Sequence, residues 1–257
     1  MTFNLTVIPP GPAVTGNSFY NGADYVRGSI SPCSIATIVA PGLAQAVQGY
    51  AAGTVVGALP YQLANAAVSF GNIAAPILNV ANTGGQQSIV VQVPCEVSPG
   101  TVPVTVQVGG GVSSTTTNVL PASPGIFGSV MFDGVTRAVL VRPDGSFVGL
   151  QNPARRGETI RLYVTGLGAV SPAVASNSVP PPGTDSLAVG QVIVGINNDG
   201  VRVLAVRAAP DRIGVYEIAF QVPSDAPTGN DIVLDVAVNT PGSSSTAFSG
   251  GSKIPIQ

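Results

Sequence analysis

The side chains that could carry out chemistry are few in this chain of 257 residues, which has no histidine, no tryptophan, two cysteines and twelve carboxylates. Without histidine, neither a Ser-His nor a Cys-His nucleophile nor a His-based zinc or haem site can form. A glycosidase needs two carboxylates about 5–10 Å apart in a cleft. Each of the three glutamates has a structural explanation instead: a turn hydrogen bond for Glu96, a strand entry for Glu158 and an outward strand position for Glu217. We therefore predict no catalytic residue, no cofactor and no enzyme activity.

Two other patterns could hold a ligand. The turn sequences PDG (143–145) and NNDG (197–200) offer oxygen atoms to calcium, but tight-turn chemistry explains Asn and Asp at these places. Exposed aromatic rings can bind carbohydrate, and five aromatic residues fall in the first quarter of the chain: Phe19, Tyr20, Tyr25, Tyr50 and Tyr61. Because there is no tryptophan to supply a broad stacking surface, core packing or a subunit contact is the better explanation. We predict no metal site, and a contact with cell wall or polysaccharide stays open as an alternative.

The low content of charge limits the classes of partner. Charged residues make up 9% of the chain, where an ordinary soluble domain carries roughly 25%, and the formal net charge is -2. This composition lacks the basic stripe that a nucleic-acid-binding protein needs. Gly, Pro, Asn, Ser and Thr also interrupt every apolar run before the roughly 18 residues needed to span a bilayer. We expect no nucleic acid and no membrane span, and a weakly charged surface suits contact with other protein.

The positions of apolar residues predict an all-β protein. Val, Ile and Thr alternate over short runs that Gly, Pro, Asn or Asp separate, and the clearest runs are 101–108, 159–164, 191–196, 215–222 and 231–238. Asp-Gly pairs at 133–134, 144–145 and 199–200 predict hairpin turns, because both residues tolerate a positive φ angle. The stretch 42–53 is predicted to be a loop.

An internal repeat organises these strands. QVPCEVSPG (92–100) aligns with QVPSDAPTG (221–229), and both copies lie between two alternating strands. About seven candidate strands per copy predict two tandem immunoglobulin-like antiparallel β-sandwich domains, at 28–124 and 125–257, after an N-terminal strand and linker at 1–27. A single barrel fits less well, because each copy has its own set of inward-facing apolar positions.

Through these motifs the chain resembles the uncharacterised C-terminal domains of large secreted acidobacterial proteins, first noted in Solibacter and similar to Ig-like and IPT/TIG modules. The shared segments are QVPCE (92–96), SPGIF (123–127), RPDGSFVGLQNPARRGETIRLYVTGLGAVSP (142–172) and GVYEIAFQVPSDAPTGN (214–230). The resemblance covers most of residues 28–240. It implies a secreted or cell-surface bacterial β-protein, and it implies no enzymatic activity.

The two cysteines, Cys33 and Cys95, depart from this family, whose residues at the two positions look like Gly and Trp. Their repeat partners in the second half of the chain are Gly157 and Ser224, so both cysteines belong to the first predicted domain. We predict a disulfide between them, which chain-entropy theory values at about 4 kcal/mol for such a loop. Disulfides persist in oxidising compartments, in agreement with secretion. The alternative is a pair of small buried thiols.

The first ten residues, MTFNLTVIPP, place Phe3, Leu5 and Val7 on one face and end at a double proline. This pattern predicts a strand that has no preceding domain to complete. The strand either folds back on the first domain, is left over from a longer chain, or adds to a sheet edge of another copy by β-augmentation. A head-to-tail contact of the third kind propagates into a filament unless a rotation closes it.

These observations together predict an extracellular or cell-surface structural protein. It would be the subunit of a self-assembling bacterial fibre or surface layer, its partners would be copies of itself, and Phe3, Leu5 and Val7 would form the interface. The alternative is a monomeric stalk, an adhesin or a carbohydrate-binding module of a larger secreted protein.

Overall fold

Residues 9–53 and 57–257 are described by the computed structural model, and within these ranges the chain has one 3-10 turn at Gly16–Ser18 and no α-helix. The strands of the first half are β1 (Phe19–Asn21), β2 (Ile35–Val39), β3 (Gly49–Ala52), β4 (Ala66–Phe70), β5 (Ile73–Ala74), β6 (Ile77–Thr83), β7 (Gln86–Gln92), β8 (Gly100–Val108) and β9 (Gly111–Val119). Those of the second half are β10 (Gly125–Ile126), β11 (Gly128–Val130), β12 (Thr136–Ala138), β13 (Leu140–Val141), β14 (Thr159–Thr165), β15 (Val170–Ser171), β16 (Leu187–Ala188), β17 (Gln191–Ile196), β18 (Asp199–Gly200), β19 (Val203–Ala208), β20 (Tyr216–Gln221), β21 (Gly229–Asn239), β22 (Thr246–Phe248) and β23 (Ser252–Ile256).

Two antiparallel sheets form the first half. Their strand orders are β1-β2-β7-β6-β3 and β5-β4-β8-β9. Alternating side chains from both sheets meet in one core, in which the rings of Phe19 and Phe70 pack edge to face with centroids 6.2 Å apart. Burying a Phe or Ile side chain contributes about 1.5–3 kcal/mol, so this core is the main source of stability in the first half.

The second half repeats this plan around a separate core. One sheet has the order β10-β14-β20-β19-β16-β15, with β13 also on β14, and the other has the order β18-β17-β21-β22, with β23 also on β21. Ile160, Leu162 and Phe220 lie at the centre of the core and are fully buried. The all-β fold of two tandem immunoglobulin-like antiparallel sandwiches is therefore confirmed. The predicted N-terminal strand lies almost wholly in residues 1–8, which are outside the described residues.

The five clearest predicted strands all form, as β8, β14, β17, β20 and β21. Of the three Asp-Gly turns, the first closes the β11–β12 hairpin and the second follows β13, but the third is wrong. Asn197 and Asn198, with φ angles of 53° and 67°, make that turn, and Asp199–Gly200 forms strand β18. Asparagine tolerates the left-handed region that two consecutive turn residues need here.

The loop prediction for 42–53 is wrong at its end. Gly49–Ala52 is strand β3, which pairs with β6 from Gly49–Asn82 to Ala52–Asn79. Only residues 42–48 form the expected turns and coil. Pairing with a neighbouring strand overrides the weak strand propensity of Gly and Ala.

The sequence repeat corresponds to a repeated backbone structure, which we call the first corner (residues 31–34 and 92–97) and the second corner (155–158 and 221–226). Each corner has two reciprocal backbone hydrogen bonds between its segments, followed by a tight turn. In the first corner the bonds run from Cys33 N to Val93 O (3.0 Å), from Val93 N to Ser34 O (2.8 Å) and from Val97 N to Pro94 O (3.2 Å). In the second corner they run from Gly157 N to Val222 O (2.8 Å), from Val222 N to Glu158 O (2.9 Å) and from Ala226 N to Pro223 O (3.3 Å).

Candidate functional site

The first corner contains a disulfide that closes it covalently. Cys33 precedes β2 and Cys95 follows β7, and their sulfur atoms are bonded across a sequence separation of 62 residues. Cys33 has a φ angle of 62°, and Gly157 at the equivalent place in the second corner has one of 80°. The backbone thus needs a left-handed residue at this position in both corners, and in the first corner a cysteine takes it.

A loop of the second half, residues 176–179, lies against this corner. The Ser176 hydroxyl accepts a hydrogen bond from Cys95 N (2.8 Å) and donates one to the Glu96 carboxylate, which also accepts from Ser176 N (3.0 Å). Burial alone raises the pKa of Glu96, but these hydrogen bonds outweigh it and hold the pKa below its usual value. Glu96 therefore links the two halves.

This placement corrects the prediction that Glu96 makes a turn hydrogen bond; Asp225 occupies the equivalent position of the second corner. The backbone of each corner closes its own turn without either carboxylate. Asp225 is exposed, and its side chain has no hydrogen-bond partner among the described residues. The two acidic residues share a sequence position but not a contact, because only the first corner faces another half of the chain.

Asn177 extends the contact across the junction. Its backbone N donates to Gln92 Oε1 (2.7 Å), its Oδ1 accepts from Leu59 N (2.6 Å) and its Nδ2 donates to Leu59 O (2.8 Å). An asparagine side chain offers one donor group and one acceptor, so it satisfies both backbone groups of a residue in a loop of the first half.

A buried polar seam lies beneath these loops. Asn21 Nδ2 donates to Ser123 O (2.9 Å), and the Ser123 hydroxyl donates to the Ser31 hydroxyl (2.9 Å). Thr165 Oγ1 accepts from Ile35 N (2.8 Å) and donates to Gly214 O (2.7 Å). The side chains of this seam are fully buried. Thr165 joins the halves directly, and Ser123, between β9 and β10, also donates from its N to Gly166 O (2.8 Å). Buried hydrogen bonds are directional and costly to leave unmade, so the seam fixes the second half on the first.

The other two glutamates also have structural partners. Glu158 pairs with Arg142 (3.0 Å) and accepts from Arg155 N (2.8 Å) at the second corner. Glu217 lies on the outer face of its strand, as predicted, but it is only 5% exposed because it pairs there with Arg207 (3.2 Å). Its strand, β20, lies between β14 and β19, whose long side chains cover the outer face of the sheet.

The remaining candidate residues divide between core and surface. Phe19 is a core residue, and the Tyr20 ring is contacted by the Arg27 guanidinium, 5.3 Å from its centroid. Tyr25, Tyr50 and Tyr61 are exposed. Across the described ranges, no three His, Cys, Asp or Glu side chains come close enough to hold a metal ion, and no helix is long and apolar enough to cross a bilayer. The predicted interface residues Phe3, Leu5 and Val7 lie outside the described residues.

The second half also has an apolar surface groove, which the sequence did not predict. This hairpin groove, of about 420 Å³, is lined by Ser129, 131–132, 138–140 and 147–151, between the β11–β12 hairpin and the segment after β13. Phe132 and Phe147 stand at its rim, 78% and 67% exposed. No periodicity marks it, because its lining comes from turns and very short strands.

A single buried arginine holds the hairpin in place. Arg137 of β12 is 1% exposed and makes two parallel hydrogen bonds to Asp133, at 2.9 and 2.8 Å. It also pairs with Asp231 (2.8 Å) and donates to Asn230 O (2.9 Å) at the start of β21. The guanidinium lowers the pKa of Asp133 to about 2. The hairpin is therefore a fixed wall of the groove.

The first described residues follow strand β9. The Ser113 hydroxyl donates to Pro12 O, and residues 10 and 11 lie so close to 111 and 112 that a Cβ on Gly11 would collide with the Val112 carbonyl. Gly16 lies beside Thr116, so residues 10–16 follow residues 111–116 in the same chain direction. The chain thus runs parallel to β9 from the β8–β9 turn, where Pro9 lies beside Gly110.

Comparison with known proteins gives the fold class alone. No family model and no curated protein matches the chain. Similar solved structures are tandem immunoglobulin domains: titin A168169 (12% identity, 96% of this chain and 98% of that chain, TM-score 0.25), the tandem Ig repeats of Dlar (10%, 97% and 99%, 0.23) and titin domains Z1Z2 in complex with telethonin (11%, 89% and 91%, 0.21).

Proposed function

We propose that this protein is the subunit of an extracellular bacterial fibre or surface layer, in which residues 1–8 of one copy add as a strand to another copy. The observation that carries the proposal is the position of Pro9, beside Gly110 at the β8–β9 turn. The other end of that hairpin, where Gly100 pairs with Val119, leads into the contacts with the second half. Pro9 therefore lies at the end of the first half that faces away from the second.

The reach of eight residues restricts what they can contact within their own copy. A fully extended chain covers at most 3.3–3.6 Å per residue, or about 29 Å for eight. Strand β8, with nine residues, is about as long. Residues 1–8 can thus reach the first half of their own copy or any part of another copy.

The junction and the surface also support a structural role. The buried seam and the Ser176–Glu96 contact hold the two halves in one arrangement, as a subunit of a regular polymer requires. Most of the few cations are already used in internal ion pairs: Arg137, Arg142, Arg161, Arg207, Arg212 and Lys253. Little free charge remains to oppose packing against identical copies.

Two observations support the proposed place of the protein outside the cell. The disulfide at the first corner is consistent with an oxidising compartment. The resemblance to secreted acidobacterial domains agrees with a place outside the cell or on its surface.

Electron microscopy of the purified full-length protein tests the proposal. We expect regular filaments or sheets from the native chain and only monomers after deletion of residues 1–8. Leu5→Asp should abolish assembly, because a charge on the apolar face opposes burial. Thr6→Asp, on the other face of the predicted strand, is the matched control and should still assemble. A native chain that stays monomeric at high concentration would contradict the proposal.

The rigid junction supports one other function. A stalk that spaces a functional domain from the cell also needs two halves in a fixed arrangement, and it needs no self-association. Sedimentation of the native chain separates the two proposals, because a stalk module stays monomeric at every concentration while a fibre subunit does not.

A further inference from the structure

The hairpin groove has the features of a strand-binding site. None of its lining residues carries a charge, and Met131, Phe132, Phe147 and Leu150 give it an apolar surface. Strand β11 pairs with β12 on one side only, and within the described ranges its other edge has no strand partner. Gly128–Val130 on that edge are exposed. An exposed sheet edge beside apolar pockets is what β-augmentation uses.

The groove extends toward the end of the second half that faces away from the junction. The contacts of Arg137 tie its hairpin to Asn230, at the start of β21, and its other wall leads to Ala154, which bridges to Ile256 beside that start. The opposite end of β21 leads to Thr240, which lines the junction with Cys33 and Cys95. Val139 of the groove donates to Phe127 O (2.8 Å) and accepts from Tyr163 N (3.3 Å), so the groove begins two residues along β14 from Thr165 of the seam and extends from there toward the start of β21.

This position makes a contact with the strand of the same copy unfavourable, because residues 1–8 would have to extend fully along the whole first half to approach the groove. Residues 1–8 start at the far end of the first half, and their full reach of about 29 Å ends near the junction. The groove lies beyond the junction, on the side of the second half toward the start of β21. The start of one copy and the groove of the next are therefore placed for a head-to-tail contact.

The composition of the segment fits the groove. MTFNLTVI has no charged side chain, and its apolar residues Phe3, Leu5 and Val7 alternate with polar ones. In an extended strand these three side chains point to one face and span about 13 Å. The groove volume of about 420 Å³ is in the range of pockets that bury several side chains.

We propose that the hairpin groove of one copy receives residues 1–8 of the next, with Phe3, Leu5 and Val7 in the groove and the backbone paired with the free edge of β11. This inference rests on the proposed function, since it names the acceptor of the donated strand. The resulting polymer is head to tail, and Arg137 stabilises it indirectly by holding the acceptor hairpin.

The first test uses assembly of the full-length chain. Phe132→Ser/Phe147→Ser should lower the mass of sedimented polymer at least tenfold, while the monomer keeps its near-UV spectrum, because both rings are exposed. Phe248→Ser is the matched control, since Phe248 is 69% exposed elsewhere on the second half, and it should assemble normally. If the native chain and the groove variant assemble equally, the groove is not the acceptor while the proposed function stands. If the native chain does not assemble, the proposed function itself is wrong and the inference falls with it.

The second test locates the contact. A full-length chain with Leu5→Cys is mixed with a full-length chain with Leu150→Cys and treated with a short bis-maleimide. We expect a cross-linked heterodimer, whereas Leu5→Cys mixed with Phe248→Cys should give none. A chain with both Leu5→Cys and Leu150→Cys should cross-link into a ladder of oligomers. If that chain gave only monomers with an internal cross-link, the inference would be overturned.

Discussion

The two corners have the same backbone hydrogen bonds but different side chains and different surroundings. The first corner has Cys33 and Cys95 in a disulfide and is covered by the loop at Ser176. The second has Gly157 and Ser224 at these positions, and both are exposed. The comparison separates what the repeat requires from what the junction adds.

The repeat requires a left-handed residue and a side-chain acceptor in each corner. Cys33 and Gly157 supply the positive φ angle. Ser34 Oγ accepts from Ser31 N (3.1 Å) in the first corner, and Glu158 Oε1 accepts from Arg155 N (2.8 Å) in the second. A serine and a glutamate thus perform the same task, because either oxygen satisfies the backbone donor of a residue three positions earlier.

The junction adds the disulfide and the contacts of the covering loop. Gln92 Oε1 accepts from Asn177 of the other half, whereas its repeat partner Gln221 donates to Gly157 O (3.0 Å) within its own corner. The glutamine side chain thus bonds across the interface in the first corner and within its own corner in the second. The two corners therefore differ at the residues of the first corner that contact the second half.

The largest effect should come from giving the first corner the residues of the second. Cys33→Gly/Cys95→Ser removes the cross-link and with it a contribution of about 4 kcal/mol to the free energy of unfolding of the first half. Glycine at 33 adopts the positive φ angle without the strain of a left-handed cysteine, so the net loss should be about 2–4 kcal/mol. Urea denaturation followed by circular dichroism, with hydrogen exchange of the β7 amides to identify the half, measures it.

The control for this prediction is Ser224→Ala in the second corner, which should change stability by less than about 0.5 kcal/mol because the side chain is exposed. Equal stability of the native chain and the double variant would show that the disulfide does not stabilise the first half.

The reverse exchange tests whether the corners are equivalent in backbone geometry. Gly157→Cys/Ser224→Cys should form a second disulfide on air oxidation, detected by mass spectrometry without reductant. The gain in stability should be about 2–4 kcal/mol, because a left-handed cysteine at 157 carries a strain that glycine avoids. Gly157→Cys/Thr228→Cys is the matched control and should keep free thiols. Persistent free thiols in the first variant would mean that the shared backbone hydrogen bonds do not make the corners equivalent.

Much of the fold could be predicted, because its signals are local or repeated. The alternation of apolar and polar residues predicts strands β20 and β21, and the segments QVPCEVSPG and QVPSDAPTG identify the two copies of the repeat. The pairing of Cys33 with Cys95 follows from having only two cysteines in one copy. Each of these inferences uses residues near one another in sequence or at a constant offset.

The contacts that join the halves could not be predicted in the same way. Glu96 meets Ser176 across 80 positions, and no periodicity connects them. Alternation correctly puts Glu217 on the outer face of its strand, but it does not predict that arginines cover that face and bury the carboxylate. The hairpin groove likewise depends on Arg137, whose burial comes from the packing of the hairpin against β21.

The smallest effect concerns the pH dependence of the junction. The pKa of Glu96 is lowered from its usual value of 4.5 because Ser176 hydrogen-bonds to the charged form. A carboxyl with a lowered pKa in the folded state contributes stability that is present above its ordinary pKa and is lost as the pH falls through the lowered value. Glu96 is exposed, so the loss should stay below about 1 kcal/mol. NMR titration of the Ser176 amide should show a midpoint below 4.5, Glu96→Gln should remove that transition, and Asp225→Asn in the second corner should leave it unchanged. A midpoint at or above 4.5 would mean that Ser176 does not stabilise the carboxylate, and the two corners would then differ by the disulfide and the Asn177 contacts alone.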